Sequence, residues 1–256
     1  DRVAFITGGA GGIGEALGRQ LLEKGCKVCL VDIQADLGNT ITKKLQDQFG
    51  KSNVLFVKCD VTSDKEFEDA YNTCEKQLGK ITILCNNAGV FAKDYRRSMD
   101  INFGAIVRGT DLALKRMGKH NGGEGGFIVN TASTLGACTA PFTPMYAATK
   151  AAVIHYTRCM GHEFHYDYNG VQMNSVCPTA VDTSLTNLEG MKRGSLNRFT
   201  DKLLEDSLDT FPRLKPKEVA EGILQVLEDH KPGASLVVEV GVKPFYMTPS
   251  LLTEYS

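Results

Sequence analysis

Val3-Ala-Phe-Ile-Thr7-Gly8-Gly9-Ala10-Gly11-Gly12-Ile13-Gly14 is an apolar run broken by a glycine cluster, and an amphipathic segment, Glu15 to Lys24, follows it. The pattern reads as strand, tight turn, helix. Glycines at such a turn let the backbone approach a phosphate closely, and the first amides of the new helix lack partners within the helix and so attract an anion. Glycine is also the default residue of any tight turn. Its place between a strand and a helix is what points to a dinucleotide.

The next apolar run, Lys27-Val-Cys-Leu-Val-Asp32, ends on an acid about twenty residues past the glycines. In a dinucleotide fold such a carboxylate accepts hydrogen bonds from the adenosine ribose and repels a 2′-phosphate. No Lys or Arg lies between Gly8 and Gly14 or directly after Asp32. NAD is therefore expected over NADP.

Further strands are read at Asn53 to Val61, Ile81 to Cys85, Gly126 to Thr131, Val171 to Cys177 (cut off by Pro178) and Ser235 to Val240, with the amphipathic Asp64 to Leu78 among the intervening helices. Strands and helices alternate throughout. The expected fold is α/β: a single-domain Rossmann-type doubly wound parallel sheet of about seven strands, helices on both faces, spanning residues 1–256. Ligands in such sheets bind beyond the carboxyl ends of the strands, where Asp60, Asn86-Asn87-Ala88-Gly89 and Ala132-Ser133 stand. Tyr95 to Gly118 is one long helical pattern with a polar Asn102 among Met99, Ile101, Phe103 and Ile106, readable as a capping or surface amide.

Tyr146-Ala-Ala-Thr-Lys150 opens a helix that the pattern carries toward Tyr168. Residues four apart share one helical face, so a phenol and an ammonium point into one volume, and a nearby positive charge favours the phenolate. On an arbitrary helix the same spacing is only a solvated pair. Residues 182–212 mix Ser, Thr, Asn, Gly and charge with scattered Leu, Met and Phe, and read equally as a substrate lid or an ordinary surface helix pair. Lys215-Pro216-Lys-Glu218 starts another helix, and residues 243–256 read as a Pro-interrupted tail able to cover a pocket or a neighbouring subunit.

Composition excludes several classes. A net charge of -1, with 42% hydrophobic and 23% charged residues, gives no basic face for nucleic acid. No apolar run approaches the roughly 20 residues of a membrane span, and no basic segment followed by an apolar core precedes the first strand. Cys26, Cys29, Cys59, Cys85 and Cys177 fall in or beside apolar strand-like runs and read as small buried hydrophobes in a reducing compartment. The expectation is a cytoplasmic protein. Cys26 to Cys29 has CxxC form without a second pair, and His155, His162 and His165 lack acidic companions in a metal spacing, so no metal is expected.

Thr7-Gly8 through Gly12-Ile13-Gly14, Asn86-Asn87-Ala88-Gly89, Ser133, and Tyr146 with Lys150 together resemble the short-chain dehydrogenase/reductase family, over nearly the whole chain and in the family's order. Within it the chain is similar to the NAD-dependent 15-hydroxyprostaglandin dehydrogenases and the insect-type alcohol dehydrogenases, through its length, Asp32 and Cys177-Pro-Thr-Ala-Val-Asp-Thr183. The resemblance implies Gly8, Gly12, Ile13 and Gly14 at the pyrophosphate, Asp32 and Ile33 at the adenosine ribose, and Asp60 and Val61 at the adenine. It implies Asn87, Ala88 and Gly89 along the cofactor, and Pro178, Val181 and Thr183 at the nicotinamide end. Ser133, Tyr146 and Lys150 match the catalytic set, Tyr146 and Lys150 also reaching the cofactor, and Asn102 matches the amide that holds a relay water. Two departures stand out: Pro178-Thr179 where the family often has Pro-Gly, and Ala132-Ser133 where it often has Ser-Ser.

The implied activity is hydride transfer between NAD(H) and a secondary alcohol or ketone, and the apolar residues of the lid and tail point to an apolar or lipid-like substrate: a prostanoid, an isoprenoid or a simple alcohol. The alternatives are an NADPH-dependent carbonyl reductase and a non-catalytic NAD(H)-binding protein. A homodimer or homotetramer, joined through the helices bearing Asn102 and Tyr146, is the expected assembly.

Overall fold

The first strand, β1 (Val3–Thr7), is buried along its whole length. Ala4 and Ile6 enter one apolar cluster, Val3 and Phe5 another. This two-sided alternation is what a central parallel strand requires. A computed structural model of the protein describes residues 2–207 and 210–247. In chain order β1 is followed by α1 (Gly12–Glu23), β2 (Lys27–Asp32), α2 (Ala35–Phe49), β3 (Val54–Lys58), α3 (Asp64–Leu78) and β4 (Ile83–Asn86). Then come α4 (Tyr95–Met99), α5 (Ala105–Met117), β5 (Gly126–Thr131), α6 (Pro144–Met160), α7 (Glu163–Asn169) and β6 (Val171–Pro178). The chain continues through α8 (Leu188–Lys192), α9 (Arg198–Ser207), α10 (Pro216–Asp229), β7 (Ser235–Glu239) and β8 (Val242–Tyr246).

The strands form one sheet in the order β3-β2-β1-β4-β5-β6-β7-β8. Neighbours from β1 to β7 pair parallel, and β8 returns antiparallel to β7. The sheet therefore has eight strands rather than about seven. The difference is β8, which occupies the start of the expected tail. Its Tyr246 hydroxyl donates to Asp229 at the end of α10, 2.8 Å away, which pins the edge strand to that helix. Residues 248–256 of that tail lie outside the described residues.

Both faces of the sheet are covered. Leu17 and Leu21 of α1, Ile41 and Leu45 of α2 and Ile223 and Val226 of α10 pack on one face. Phe67 and Tyr71 of α3 and Ala113 of α5 pack on the other. The strand order reverses beside β1, between β2 and β4, which opens a crevice at the carboxyl ends there.

Three further expectations change. The helix of Tyr146 ends at Met160, and Gly161 separates it from α7, whose N-terminus is capped by His162 accepting from the Phe164 amide at 3.3 Å. Pro178 is the last paired residue of β6, opposite Val238, because only its amide hydrogen is missing and its carbonyl stays available. The segment from Tyr95 to Gly118 is a single rod, but Asp100–Gly104 in its middle is a π-helical turn. Among the described residues no helix is long and apolar enough to cross a membrane. Six cysteines, including Cys74, are buried, and Cys138 and Cys159 are exposed.

Candidate active site

The carboxyl edge carries two cavities. One, of about 560 Å3, is lined by Gly8, Asp32, Ile33, Asp60, Val61 and Ala88 among others. The other, of about 470 Å3, is lined by Ile13, Asn87, Ser133, Tyr146, Lys150 and Pro178, with Val181 and Thr183 beside them. Gly89 lines both, so the two halves meet at the end of β4.

The glycine turn is built by close contact. A Cβ on Gly14 would lie 2.1 Å from the Gly8 carbonyl oxygen, so only hydrogen fits. Gly12 has φ +51 and faces Thr183, whose methyl would sit 3.0 Å from an added Cβ. At Gly11, the residue preceding α1, no side chain caps the helix, which leaves the helix start free to receive an anion. The Thr7 hydroxyl accepts from the amides of Asn87 and Ala88 at 2.9 and 3.1 Å, and the Asn87 amide group donates to the carbonyls of Thr7 and Gly8. The loop after β4 is thereby fastened to the glycine turn.

Asp32 is nearly buried at the end of β2. One carboxylate oxygen accepts from the Ala10 amide and the other from the Gln34 amide, each at 3.0 Å. Asp60 accepts from the amide and hydroxyl of Thr62, which hold its carboxyl below its ordinary range. The open helix start, the glycines without room for a side chain and the acid at the end of β2 together fit a dinucleotide at this edge.

In the second cavity the Ser133 hydroxyl accepts from the Leu135 amide at 3.2 Å and donates to the Pro178 carbonyl at 3.4 Å. Its neighbour Thr134 donates to the same carbonyl, which ties the exit of β5 to the end of β6. Tyr146 and Lys150 are both buried on one face of α6, with the Lys150 nitrogen 5.6 Å from the Tyr146 ring centre. Burial pushes the Tyr146 phenol above its ordinary range, and a hydrogen bond with Ser133 is the opposing influence. Lys150 is brought down to about 8 by burial, against a raising influence from Cys177. Burial is thus the largest influence on the phenol in the protein without its cofactor. Lys150 donates to the Thr131 carbonyl at 2.6 Å.

Asn102 is neither a cap nor a surface amide. It is fully buried, accepts from the Val90 amide at 2.7 Å, and donates to the Val90 carbonyl at 2.9 Å and the Thr149 hydroxyl at 3.1 Å. Thr149 in turn donates to the Tyr146 carbonyl at 2.7 Å. The π turn, one residue wider than a regular turn, accompanies this inward placement.

Of the segment 182–212, residues 208 and 209 lie outside the described residues; the rest includes α8 and α9, and its Leu185, Met191, Leu204 and Phe211 contribute apolar walls to the second cavity. Sequence reasoning missed Phe91, which stacks on Tyr146, and Arg97, which lines the first cavity. Phe91 stood two residues past Gly89, and that proximity was its only sequence signal.

A short chain dehydrogenase family profile matches residues 2–193. Human 15-hydroxyprostaglandin dehydrogenase [NAD(+)] is 34% identical over 233 residues, which cover 89% of this chain and 86% of the relative. Alcohol dehydrogenase 2 of Ceratitis cosyra is 31% identical over 238 residues, covering 93% and 91%. Among solved structures, a short chain dehydrogenase/reductase from Burkholderia phymatum in complex with NAD superposes with a TM-score of 0.79. It covers 94% of this chain and 89% of its own at 22% identity, a likeness of fold.

Proposed function

We propose, from the premise that the chain belongs to the short chain dehydrogenase family and is an oxidoreductase, that it interconverts a secondary alcohol and a ketone with NAD(H). The observation that carries this is the convergence of Ser133, Tyr146 and Lys150 on one apolar cavity that meets the dinucleotide crevice at Gly89. A non-catalytic NAD(H)-binding protein has no use for that convergence.

Gly8, Gly12, Ile13 and Gly14 hold the pyrophosphate, Asp32 and Ile33 the adenosine ribose, Asp60 and Val61 the adenine, and Pro178, Val181 and Thr183 the nicotinamide end. Asn87, Ala88 and Gly89 run along the cofactor. NAD, when bound, supplies the hydride acceptor. Ser133 holds the substrate oxygen and stabilises the charge that develops there. Tyr146 takes the hydroxyl proton in oxidation and returns it in reduction. Lys150 binds the nicotinamide ribose and, with its acidity near 8, passes protons onward. Asn102 continues that path through a bound water. The positions support this, since a Cβ on Gly89 would lie 3.4 Å from the Asn102 oxygen and 3.6 Å from the Lys150 nitrogen.

The apolar walls over the cavity support an apolar, lipid-like substrate, with 182–212 acting as its lid. The nearly buried Asp32 favours NADH over NADPH. The working protein is soluble and cytoplasmic, assembled as a homodimer or homotetramer, and uses no metal. The test is a panel of simple, isoprenoid and prostanoid secondary alcohols assayed by absorbance with NAD and with NADP. NADH formation with at least one apolar alcohol supports the reading. Turnover with NADP alone would move the assignment to a carbonyl reductase, and NADH binding without turnover on any alcohol or ketone would move it to a sensor.

A further inference from the structure

Phe91 touches three parts of the site at once. Its ring is stacked on Tyr146, with centres 4.1 Å apart and planes inclined by 29°. It is 5% exposed and lines the same cavity as Ser133 and Lys150. On the chain side, its neighbour Val90 is clamped by both ends of the Asn102 amide. On the outer side, Gly194 of the lid segment lies so close that an added Cβ would stand 2.9 Å from the Phe91 Cβ.

We infer that Phe91 is a positioning residue: clamped through Val90 and covered by Gly194, it blocks a swing of the Tyr146 side chain and links the seating of the segment bearing Gly194 to the aim of the phenol. This rests on the assignment of Tyr146 as the proton-transfer group. Rotation of a tyrosine ring leaves the hydroxyl oxygen on the axis, but a swing about the Cα–Cβ bond carries that oxygen away from Ser133. A ring stacked against it resists that swing, because the pair's contact area and quadrupole alignment depend on where the two rings lie. Reacting groups misplaced by about 1 Å lose rates on the order of 100-fold, so holding the ring in place falls on turnover more than on binding. Gly194 is needed in this arrangement for the space it leaves, since any side chain there must move Phe91 or the lid.

The experiment compares Phe91→Leu, Phe91→Tyr and Gly194→Ala with the unaltered protein, using a small secondary alcohol such as cyclohexanol and NAD. Phe91→Leu keeps apolar bulk but removes the flat partner. The expected result is unchanged NADH binding, a KM within about twofold, and kcat lowered by about 10- to 100-fold, with Phe91→Tyr restoring kcat and Gly194→Ala sharing part of the loss. A kcat for Phe91→Leu within twofold of the unaltered protein, or a loss confined to KM, overturns the inference, and full kcat in Gly194→Ala overturns the link to the lid.

A readout independent of turnover uses tyrosine-labelled protein, the Tyr146 ring signals being assigned by their loss in Tyr146→Phe. Phe91 should impose a ring-current shift on them that Phe91→Leu abolishes. An unshifted Tyr146 signal overturns the inference even in an active enzyme. A protein with the shift but no alcohol turnover instead counts against the assignment of Tyr146.

Discussion

The ammonium of Lys150 donates to the carbonyl of Thr131 at 2.6 Å, joining the helix of the active site to the last residue of β5. Both groups are buried, and burial brings the lysine down to about 8. Below that value the charged form is retained in the folded protein at a desolvation cost.

That cost gives a pH signature. Lys150 loses its proton at about 8 when folded and near its ordinary value, about 10.4, when unfolded. Between the two the unfolded chain binds more protons, so this group's contribution to stability rises with pH. Relative to Lys150→Met, the unaltered protein should gain about 1.6 kcal/mol between pH 8 and 9.5, somewhat below the full slope of 1.36 kcal/mol per pH unit because each form titrates partly within that window. Urea unfolding at the two pH values measures it. A constant difference between the proteins would show that the lysine is charged and well solvated.

Tyr146 is displaced in the other sense. Burial holds the phenol protonated above its ordinary range, which suits donation to a ketone and opposes abstraction from an alcohol. Alcohol oxidation should therefore rise through the alkaline range, while ketone reduction holds level until the phenol's raised value is approached. Tyr146→Phe should bind NADH normally and lose about 100-fold or more of either rate. Full activity in that variant ends its assignment as the proton-transfer group.

Asp32 serves two partners within the protein, the amides of Ala10 and Gln34, beside the ribose proposed for it. Asp32→Ser should weaken NADH about 10- to 100-fold, the range for a hydrogen bond to a charged group, and narrow the preference over NADPH. Fluorescence titration with both nucleotides reads this directly. Equal affinities for the two in the unaltered protein would refute the selectivity.

Asn102 is fully buried, and removing its side chain leaves the amide and carbonyl of the half-buried Val90 without their partner. Asn102→Leu should cost about 3 kcal/mol of stability, from two desolvated backbone groups. Its unfolding midpoint in urea is the measurement, and a midpoint equal to that of the unaltered protein would show that water replaces the amide without loss.

The alternation of apolar runs and helices was legible because each strand's burial is written locally: β1 and β2 fall where the residue pattern places them, and α3 begins and ends at Asp64 and Leu78 as read. The break at Gly161 and the strand β8 were not legible. The first depends on where α6 leaves the sheet, with Gly161 lying against Met173 and Gly233. The second depends on pairing with β7, which a five-residue segment cannot signal alone.

By itself the sequence determined the strand, glycine turn and helix at Val3 to Gly14, the acid at Asp32, and the four-residue spacing that puts Tyr146 and Lys150 on one face. These are consequences of backbone sterics and helical period, both local. Only the tertiary structure decided that Lys150 is tied to Thr131, that Asn102 turns inward to Val90, and that Phe91 lies on Tyr146. Those contacts join residues 12 to 55 positions apart. They exist because β4 and β5 lie side by side in register and bring their loops to one edge, where burial, rather than sequence spacing, sets the acidity of each group.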